Sequence, residues 1–482
     1  MNRWLRKRRF RTGLLMAWAS LLCCGQLACG QTSVQEPTFV TTDEPAAPPE
    51  RLGRRVEGDD WPTLLGPRQD GISNETGIRT DWNQDAPPII WELEVGEGYA
   101  IGSTALGRYV HFDRVGDEAR VRALNAETGE SLWEFRYETD YVDMYGYDGG
   151  PRCSPVIDEG RVYVFGAEGM LHCLALADGA LVWKRDTSEE YGVLQNFFGV
   201  GSTPVVLGDQ LFVMIGGSPQ ADQDLGRGRL DEATGNGSAI VALDKRTGEE
   251  RWRVSDELAS YSSLKTAHIL DRDWVLAFTR GGLLGVEAET GMTHHFFPWR
   301  APMLESVNAS MPVVVGDQVL ISETYGPGAA MLRLTNEGWQ TVWADPERSR
   351  VKKLQTHWNT PVHVDGYVYA SSGRHTQNAE LRCVRWEDGE LQWSVPDLTR
   401  CSLTLIDGHL LCQGEYGELR LLKVDPTEFQ EVGRLELTRA TATGLRRPLL
   451  GYPCWAAPVV SHGLLYVRGV DRVVCLELIP AE

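Results

Sequence analysis

Short runs of alternating apolar and polar residues, separated by turns that contain glycine, fill the chain from residue 89 onward. The segment SPVIDEGRVYVFG at residues 154–166 is typical, because two apolar runs flank the turn Asp158-Glu159-Gly160. Successive side chains of a β-strand point to opposite faces, so this alternation predicts half-buried strands joined in hairpins. The pattern therefore predicts an all-β fold.

A second hairpin pattern recurs along the chain and ends on a large aromatic residue. Its clearest copies are ALNAETGESLW at residues 123–133 and ALDKRTGEERW at residues 242–252. Weaker copies lie at residues 173–183, 285–297, 332–343, 383–393 and 419–437. The spacing from Trp133 to Trp183 is 50 residues. A repeat of that length built from strands predicts the blades of a β-propeller.

The number of blades follows from the outer strands. They end at Trp91, Trp133, Trp183, Trp252, Phe297, Trp343, Trp393 and Leu435. Eight ends predict eight four-stranded antiparallel blades, and seven if the weak copy near Leu419 is not a blade. The last blade has only three strands of its own, so residues 89–95 are expected to supply the fourth. That pairing closes the ring and leaves no free sheet edge.

The repeat ALDKRTGEERW resembles the tryptophan-docking motif of the pyrroloquinoline-quinone repeat superfamily. That superfamily includes quinoprotein alcohol dehydrogenases and the propeller lipoprotein of outer-membrane barrel assembly. The resemblance covers residues 61–482, and the DWP…GP opening at residues 60–67 is similar to exported propellers of planctomycete-type bacteria. It implies that the repeated Trp and Gly residues dock blades on one another, and it specifies fold more than function.

The N-terminal residues are typical of an exported protein. Six basic residues within the first eleven precede an apolar run at residues 12–24, which is too short for a permanent membrane span. We expect a signal peptide at residues 1–30, a disordered acidic and Pro-rich tether at 31–58 and the propeller at 59–482. Plain cleavage near Cys29, lipidation of Cys29, and twin-arginine export through Arg8-Arg9 stay open. The expected location is periplasmic, tethered to the outer membrane, or secreted.

The formal charge of −20 limits the classes of partner that the chain is expected to bind. An acidic surface repels phosphate backbones, so nucleic acid is not expected. The expected partners are a protein or a polar small-molecule or glycan ligand. We expect a monomer that meets a membrane only through an N-terminal lipid.

The cysteines bear on an enzymatic alternative. The quinoprotein dehydrogenases that the chain resembles use adjacent cysteines beside pyrroloquinoline quinone, a bound Ca²⁺ and an aspartate base. The only adjacent cysteines here, Cys23 and Cys24, lie in the signal region. No catalytic Asp, metal site, C-x-x-C-H or other catalytic motif is evident, so no catalytic residue and no metal ligand is predicted. Pairing of the seven later cysteines stays open, and Cys401–Cys412, Cys153–Cys173 and Cys454–Cys475 are each candidate bridges in an oxidising compartment.

The long connecting segments are all expected on one face of the ring. They are residues 136–152, 186–201, 217–237, 298–310, 323–328, 344–359, 371–380 and 438–454. In a four-stranded blade, the loops between the second and third strands share a face with the links between blades. Long loops on a rigid scaffold are where binding residues concentrate.

Polar residues near the inner strands are the candidate ligand-binding rim of the central channel. They are Tyr147, Asp148, Arg152, Asn196, Glu305, Asn308, Glu323, His357, Asn359, Arg374 and His375. The competing interpretation is that they satisfy loop backbone groups. The sequence thus predicts a cell-envelope binding or scaffold protein without catalytic activity. The alternative is an oxidoreductase that uses pyrroloquinoline quinone and Ca²⁺.

Overall fold

A computed structural model describes residues 48–193, 197–398, 400–440 and 444–481. The predicted signal peptide, its candidate lipidation site Cys29 and the first part of the predicted tether lie outside these residues. Residues 48–58 are described, and two of their arginines contact the propeller. Arg51 donates to Asp60 at 3.1 Å, and Arg55 pairs with Glu477 at 2.5 Å.

The described residues form eight four-stranded antiparallel sheets, which confirms the predicted eight-bladed β-propeller. Blade 1 comprises Ser103–Ala105, Arg108–Val115, Glu118–Asn125 and Ser131–Glu138, and blade 2 comprises Val156–Asp158, Arg161–Phe165, Met170–Ala175 and Leu181–Asp186. Blade 3 comprises Val205–Leu207, Gln210–Met214, Ile240–Asp244 and Glu250–Val254, and blade 4 comprises Lys265–Ile269, Arg272–Phe278, Gly282–Glu287 and His294–Pro298. Blade 5 comprises Val313–Val315, Gln318–Glu323, Gly328–Thr335 and Gly338–Ala344, and blade 6 comprises Val362–Val364, Tyr367–Ser372, Glu380–Arg385 and Leu391–Pro396. Blade 7 comprises Cys401–Ile406, His409–Gly414, Glu418–Lys423 and Gln430–Glu436, and blade 8 comprises Val459–Ser461, Leu464–Arg468, Arg472–Glu477 and Ile89–Glu94.

The few other elements lie in the long connections. They are the α-helix Thr187–Tyr191, the 3₁₀ helices Gln220–Asp222, Arg227–Glu232 and Thr376–Asn378, and a two-stranded hairpin of Thr438–Ala440 and Arg446–Pro448. Within the described ranges, no helix has the length and apolar character needed to cross a bilayer.

The first strand of the ring pairs with the last, as the sequence predicts. Trp91 lies opposite Cys475, and Leu93 lies opposite Val473. Trp91 is buried in a cluster that joins blades 8 and 1, where its ring meets Tyr109 at 5.7 Å. The N-terminal strand therefore completes both a sheet and a core.

Each repeat tryptophan contacts the next blade. The indole N–H of Trp133 donates to the Leu176 carbonyl at 2.9 Å, and the indole of Trp183 reaches the Lys245 carbonyl at 3.3 Å. The ring of Trp183 covers Gly248, where φ is +76° and an added Cβ would lie 2.7 Å from the ring. Glycine at this turn therefore serves both the backbone conformation and the packing of the indole.

The seven cysteines within the described ranges are buried, free thiols. This holds for Cys153, Cys173, Cys383, Cys401, Cys412, Cys454 and Cys475. Burial raises the pKa of the Cys454 thiol to about 12, so this group stays protonated near neutral pH.

Residues 61–73 cross one end of the central channel. Trp61 bridges to Thr104 in blade 1, and the backbone N–H of Leu405 in blade 7 donates to the Gly71 carbonyl at 2.8 Å. Lys265 in blade 4 donates to the carbonyls of Arg68 and Gln69. This segment, here called the plug, closes the channel on the side of the short turns.

The antiparallel order of strands fixes two faces. The first-to-second and third-to-fourth turns lie on the short-turn face, and the remaining connections lie on the long-loop face. The cavity described next lies between the plug and the long-loop face.

Candidate functional site

A cavity of about 490 Å³ occupies the centre of the ring. Leu64 and Leu65 of the plug contribute to its wall. Residues beside the innermost strands of several blades also line it, among them Ser154, Ser263 and Thr360. Its aromatic lining is Tyr99, Tyr147, Phe198, Tyr261, Tyr325, Trp358, Tyr452 and Trp455.

Three of these aromatic rings pack against one another. The ring centroids of Trp358 and Trp455 are 4.9 Å apart, and those of Tyr99 and Trp455 are 5.0 Å apart. The indole N–H of Trp358 donates to the Trp455 carbonyl at 3.0 Å. This wall joins blades 6, 8 and 1 and gives the cavity a rigid aromatic side.

Arg400 lies against this wall and is ion-paired. Its Nη2 donates to Glu415 Oε2 at 2.7 Å, and its guanidinium lies 4.4 Å from the Trp358 ring centroid. Burial alone would raise the pKa of Glu415, but hydrogen bonds from Arg400 and Thr376 hold it below its ordinary value. The pair is therefore ionised and neutral as a unit.

Arg152 forms a second ion pair at the cavity. Its Nη2 donates to Asp143 Oδ2 at 2.8 Å and to the Asp148 carbonyl at 2.7 Å. The guanidinium also lies 5.7 Å from the Tyr99 ring centroid. Both cavity arginines thus present charge that a neighbouring carboxylate already balances.

His357 links the aromatic wall to the rim. Its Nε2 lies 3.1 Å from the Tyr325 hydroxyl, and Arg374 stacks 4.3 Å from the Tyr325 ring centroid. Burial, reinforced by the charge of Arg400, lowers the pKa of His357 to about 3. The imidazole is therefore neutral at physiological pH. Among the described residues, Arg374 forms no ion pair, so it is the cation of this rim without a bound carboxylate.

The structure brings four of the predicted rim residues to the cavity wall. They are Tyr147, Arg152, His357 and Asn359. Arg374 lies beside them through Tyr325, and His375 is exposed with its backbone N–H donating to Asn378. Glu305 is exposed, and Asn196 lies outside the described residues.

The other predicted residues satisfy loop backbone groups. Asp148 accepts hydrogen bonds from the N–H groups of Gly98 and Gly150, at 3.0 and 2.7 Å. The Asn308 amide donates to the carbonyls of Thr279 and Trp299. These contacts fit the competing interpretation, in which the polar side chains form hydrogen bonds with backbone groups of the loops.

Sequence reasoning did not single out several residues of the site. Arg400, Glu415, Trp455, Tyr99 and the plug leucines were not among the predicted rim residues. Arg400 lies at the end of a short link between blades 6 and 7, whereas the rim residues were predicted mainly from the long segments. Its signal in the sequence is only its place directly before the innermost strand Cys401–Ile406.

Glu323 is a buried carboxyl beside the cavity. It accepts hydrogen bonds from Ser306 Oγ and the Gly326 N–H, both at 3.0 Å. Desolvation raises its pKa from 4.5 to about 7. The folded chain therefore holds this proton more tightly than the unfolded chain does.

Glu323→Gln is expected to flatten the pH dependence of stability. A raised folded-state pKa gives stability that is complete below about pH 4.5 and lost as pH rises through 7. The wild type should lose about 3 kcal/mol more of its unfolding free energy between pH 4.5 and 8 than the variant. Chemical denaturation at both pH values measures this. Glu305→Gln, at an exposed position, is the control, and equal losses in Glu323→Gln and wild type would contradict the assignment.

The cavity does not fit a calcium-bound quinone centre. Calcium requires six to eight oxygen ligands. Asp143 is the one carboxylate among the residues that line the cavity, and Arg152 and the Tyr145 N–H already occupy it. Across the described ranges, no group of three or more His, Cys, Asp or Glu side chains could hold a metal ion.

The blade architecture and the tryptophan contacts define a propeller of pyrroloquinoline-quinone-like repeats. A protein-family model described as outer membrane protein assembly factor BamB matches residues 117–294 and 233–428. The chain therefore belongs to that repeat family.

Curated relatives carry the same description. BamB of Yersinia pestis is 25% identical over 267 residues, which is 54% of this chain and 56% of the relative. BamB of Shewanella oneidensis is 22% identical over 275 residues, which is 53% of this chain and 66% of the relative. The chain thus matches little more than half of the Yersinia protein's length.

Solved structures share the fold at low sequence identity. BamB from Moraxella catarrhalis superposes with a TM-score of 0.53 at 14% identity, covering 82% of this chain and 98% of that chain. Quinohemoprotein alcohol dehydrogenase from Comamonas testosteroni gives a TM-score of 0.57 at 13% identity, covering 88% and 81%. An assembly factor and an alcohol dehydrogenase thus share this scaffold, so function has to be argued from the site.

Proposed function

We propose that this chain is a binding or scaffold protein of the cell envelope that holds a partner segment at its central cavity on the long-loop face. The observation that carries the proposal is a preformed aromatic cavity whose arginines are already paired. Such a wall offers area and shape to an inserted side chain or ring, which is how binding sites gain affinity. The signal peptide that the N-terminal sequence predicts supports a location in the cell envelope, and so does the description of the matching family model as an outer membrane protein assembly factor.

The charges of the cavity favour binding over catalysis. Arg400 and Arg152 each have a carboxylate partner, and His357 is neutral and hydrogen-bonded to Tyr325. A general acid or base is most effective when its pKa lies near the working pH. His357, with a pKa near 3, does not meet that condition. Glu323 does by its pKa, but its side chain is turned toward Ser306 and Gly326.

The ligand is expected to have an apolar or aromatic body with at most one negative group. Aromatic rings form most of the wall, and Arg374 at the rim is the cation that could receive an anion. A polypeptide segment that inserts a large side chain meets both conditions, so a protein partner is the favoured class.

Site-specific photo-crosslinking in intact cells tests the proposal. A benzophenone amino acid is placed at Tyr147, which is 72% exposed beside the cavity, and at Met292, which is 83% exposed in a turn of the opposite face. We expect a discrete adduct from position 147 and none from position 292. The adduct should disappear when Ala309→Phe fills the cavity.

Equal adducts from both positions, or none from position 147, would contradict the proposed binding face. Dye-linked oxidation of alcohols or sugars by the purified protein with pyrroloquinoline quinone and Ca²⁺ would instead support the enzymatic alternative.

A further inference from the structure

The negative charge of the chain is concentrated on the short-turn face. The acidic residues of its turns are Glu127, Glu130, Glu159, Asp178, Asp209, Glu249, Asp271, Glu289, Asp317, Glu337, Asp365, Glu387, Asp388, Glu390, Asp407, Asp425 and Glu428. Only Lys245 and Arg246 oppose them in the same turns. This face therefore repels any anionic surface within the Debye length, about 8–10 Å at physiological ionic strength.

The long-loop face is divided between the two halves of the ring. Its loops between residues 95 and 312 carry fifteen acidic and five basic residues. Its loops between residues 324 and 471 carry five acidic residues, Asp345, Glu347, Asp397, Glu415 and Asp471. The same loops carry nine basic residues, Arg348, Arg350, Lys352, Lys353, Arg374, Arg400, Arg439, Arg446 and Arg447. The loops of this second half, the basic sector, thus carry more basic than acidic residues on an acidic protein.

The two-stranded hairpin in the link between blades 7 and 8 contributes one end of the basic sector. Residues 438–448 contain three arginines and no acid. Arg439 pairs with Glu92 in the outer strand of blade 8, and Arg446 donates to Thr438 at 2.7 Å. Among the described residues, neither Arg446 nor Arg447 forms an ion pair, and both are exposed. Their charges are available to a partner.

The link between blades 5 and 6 contributes the other end. Arg348 and Arg350 are exposed and, within the described ranges, form no ion pair. By contrast, Lys352 and Lys353 donate to backbone carbonyls of Pro346 and Asp388. Two separate protrusions of one face thus each present a pair of uncompensated arginines.

Each protrusion also exposes an aliphatic side chain beside its arginines. Leu445 is 64% exposed next to Arg446, and Val351 is 81% exposed next to Arg350. The loops of the same half of the face also carry the exposed rings of Tyr416 and Tyr452, which stack at 5.0 Å. Arginine, aliphatic and tyrosine side chains together are the combination that enters the interface of a bilayer, where phosphates, acyl chains and headgroups meet.

We propose that the basic sector docks on the surface of an anionic lipid bilayer through Arg348, Arg350, Arg446 and Arg447. An acidic protein surface would meet the arginines but leave Leu445 and Val351 in water, so the lipid surface is favoured. The acidic short-turn face then points away from the bilayer. The inference goes beyond the proposed function, because it concerns the outer part of the face and does not require a cavity ligand.

Vesicle sedimentation of the full chain tests the proposal. We expect binding to phosphatidylcholine vesicles that contain phosphatidylglycerol, weakening with added salt, and much less binding to phosphatidylcholine alone. Arg446→Gln with Arg447→Gln should weaken binding about tenfold or more, as should Arg348→Gln with Arg350→Gln. All four together should abolish the preference for the anionic lipid. Melting temperatures should not change, because these side chains form no ion pairs with the part of the chain that the structure describes.

The charge-matched control is Arg251→Gln with Arg253→Gln, two exposed arginines on the outer strand Glu250–Val254 that pair with Asp244 and Glu250. This pair removes the same charge and should leave vesicle binding unchanged. Leu445→Ser with Val351→Ser should weaken binding without changing net charge. Equal binding to both vesicle types, or equal losses in the control pair, would overturn the proposal. Binding to polyglutamate but not to anionic vesicles would overturn it in favour of an acidic protein partner.

Discussion

A chain that begins at residue 96 is expected not to form the ring. It lacks the strand Ile89–Glu94, which pairs with Arg472–Glu477, and it lacks Trp91, which packs between blades 8 and 1. The edge of the strand Arg472–Glu477 would then be exposed, and exposed edges promote aggregation. We expect insoluble protein, or a soluble fraction without a cooperative thermal transition, measured by circular dichroism and light scattering.

Two other truncations test whether loss of the closing strand, and not loss of the residues before it, prevents the ring from forming. A chain that begins at residue 48 retains every described contact and should melt within a few degrees of the full chain. A chain that begins at residue 75 loses the plug but retains the closing strand, so it should still form a ring of lower stability. Cooperative melting of the chain from residue 96, at the temperature of the full chain, would show that the N-terminal strand is dispensable.

Trp183→Ala is expected to cost about 3–5 kcal/mol of unfolding free energy. Trp183 is 2% exposed, donates to the Lys245 carbonyl at 3.3 Å and covers Gly248. Its removal leaves a cavity between blades 2 and 3, and the Lys245 carbonyl keeps only the hydrogen bond from the Tyr163 hydroxyl at 2.9 Å. Denaturant titration followed by circular dichroism measures the loss.

Trp252→Ala is the matched comparison, because its indole makes the same kind of contact to Glu289 but is partly exposed. Its loss should be clearly smaller, since less apolar surface returns to water. Equal losses for the two variants, or none at Trp183, would contradict a docking role that depends on burial.

The blades were predictable because each signal lies within a few neighbouring residues. Thr-Gly and Asp-Gly turns demand positive φ, which Gly129 and Gly179 adopt at +71° and +76°. The alternation at residues 89–95 predicts a strand, and the structure places one at Ile89–Glu94. Ring closure then follows, because a blade with three strands needs a fourth.

The site was predictable only in part, because distant residues build it. His357 and Asn359 precede an inner strand, and that position brings them to the cavity wall. The contact of His357 with Arg400 spans 43 residues, and the contact of Trp358 with Trp455 spans 97. No local pattern encodes such pairs. The plug was also missed, since residues 61–73 have no strand or helix periodicity and are held by contacts to several blades.

The pairing of the first strand with the last also sets an order of events during synthesis. The ribosome makes residues 89–94 long before residues 472–477, so the earliest strand must wait for its partner until almost the whole domain exists. Blades 1 to 7 can form as the chain emerges, because their strands are consecutive. The ring itself can close only near the end of translation or after transport through a membrane. A secretory system that delivers the chain unfolded would preserve this waiting strand, whereas early folding at the ribosome would leave a nearly complete ring with one open seam.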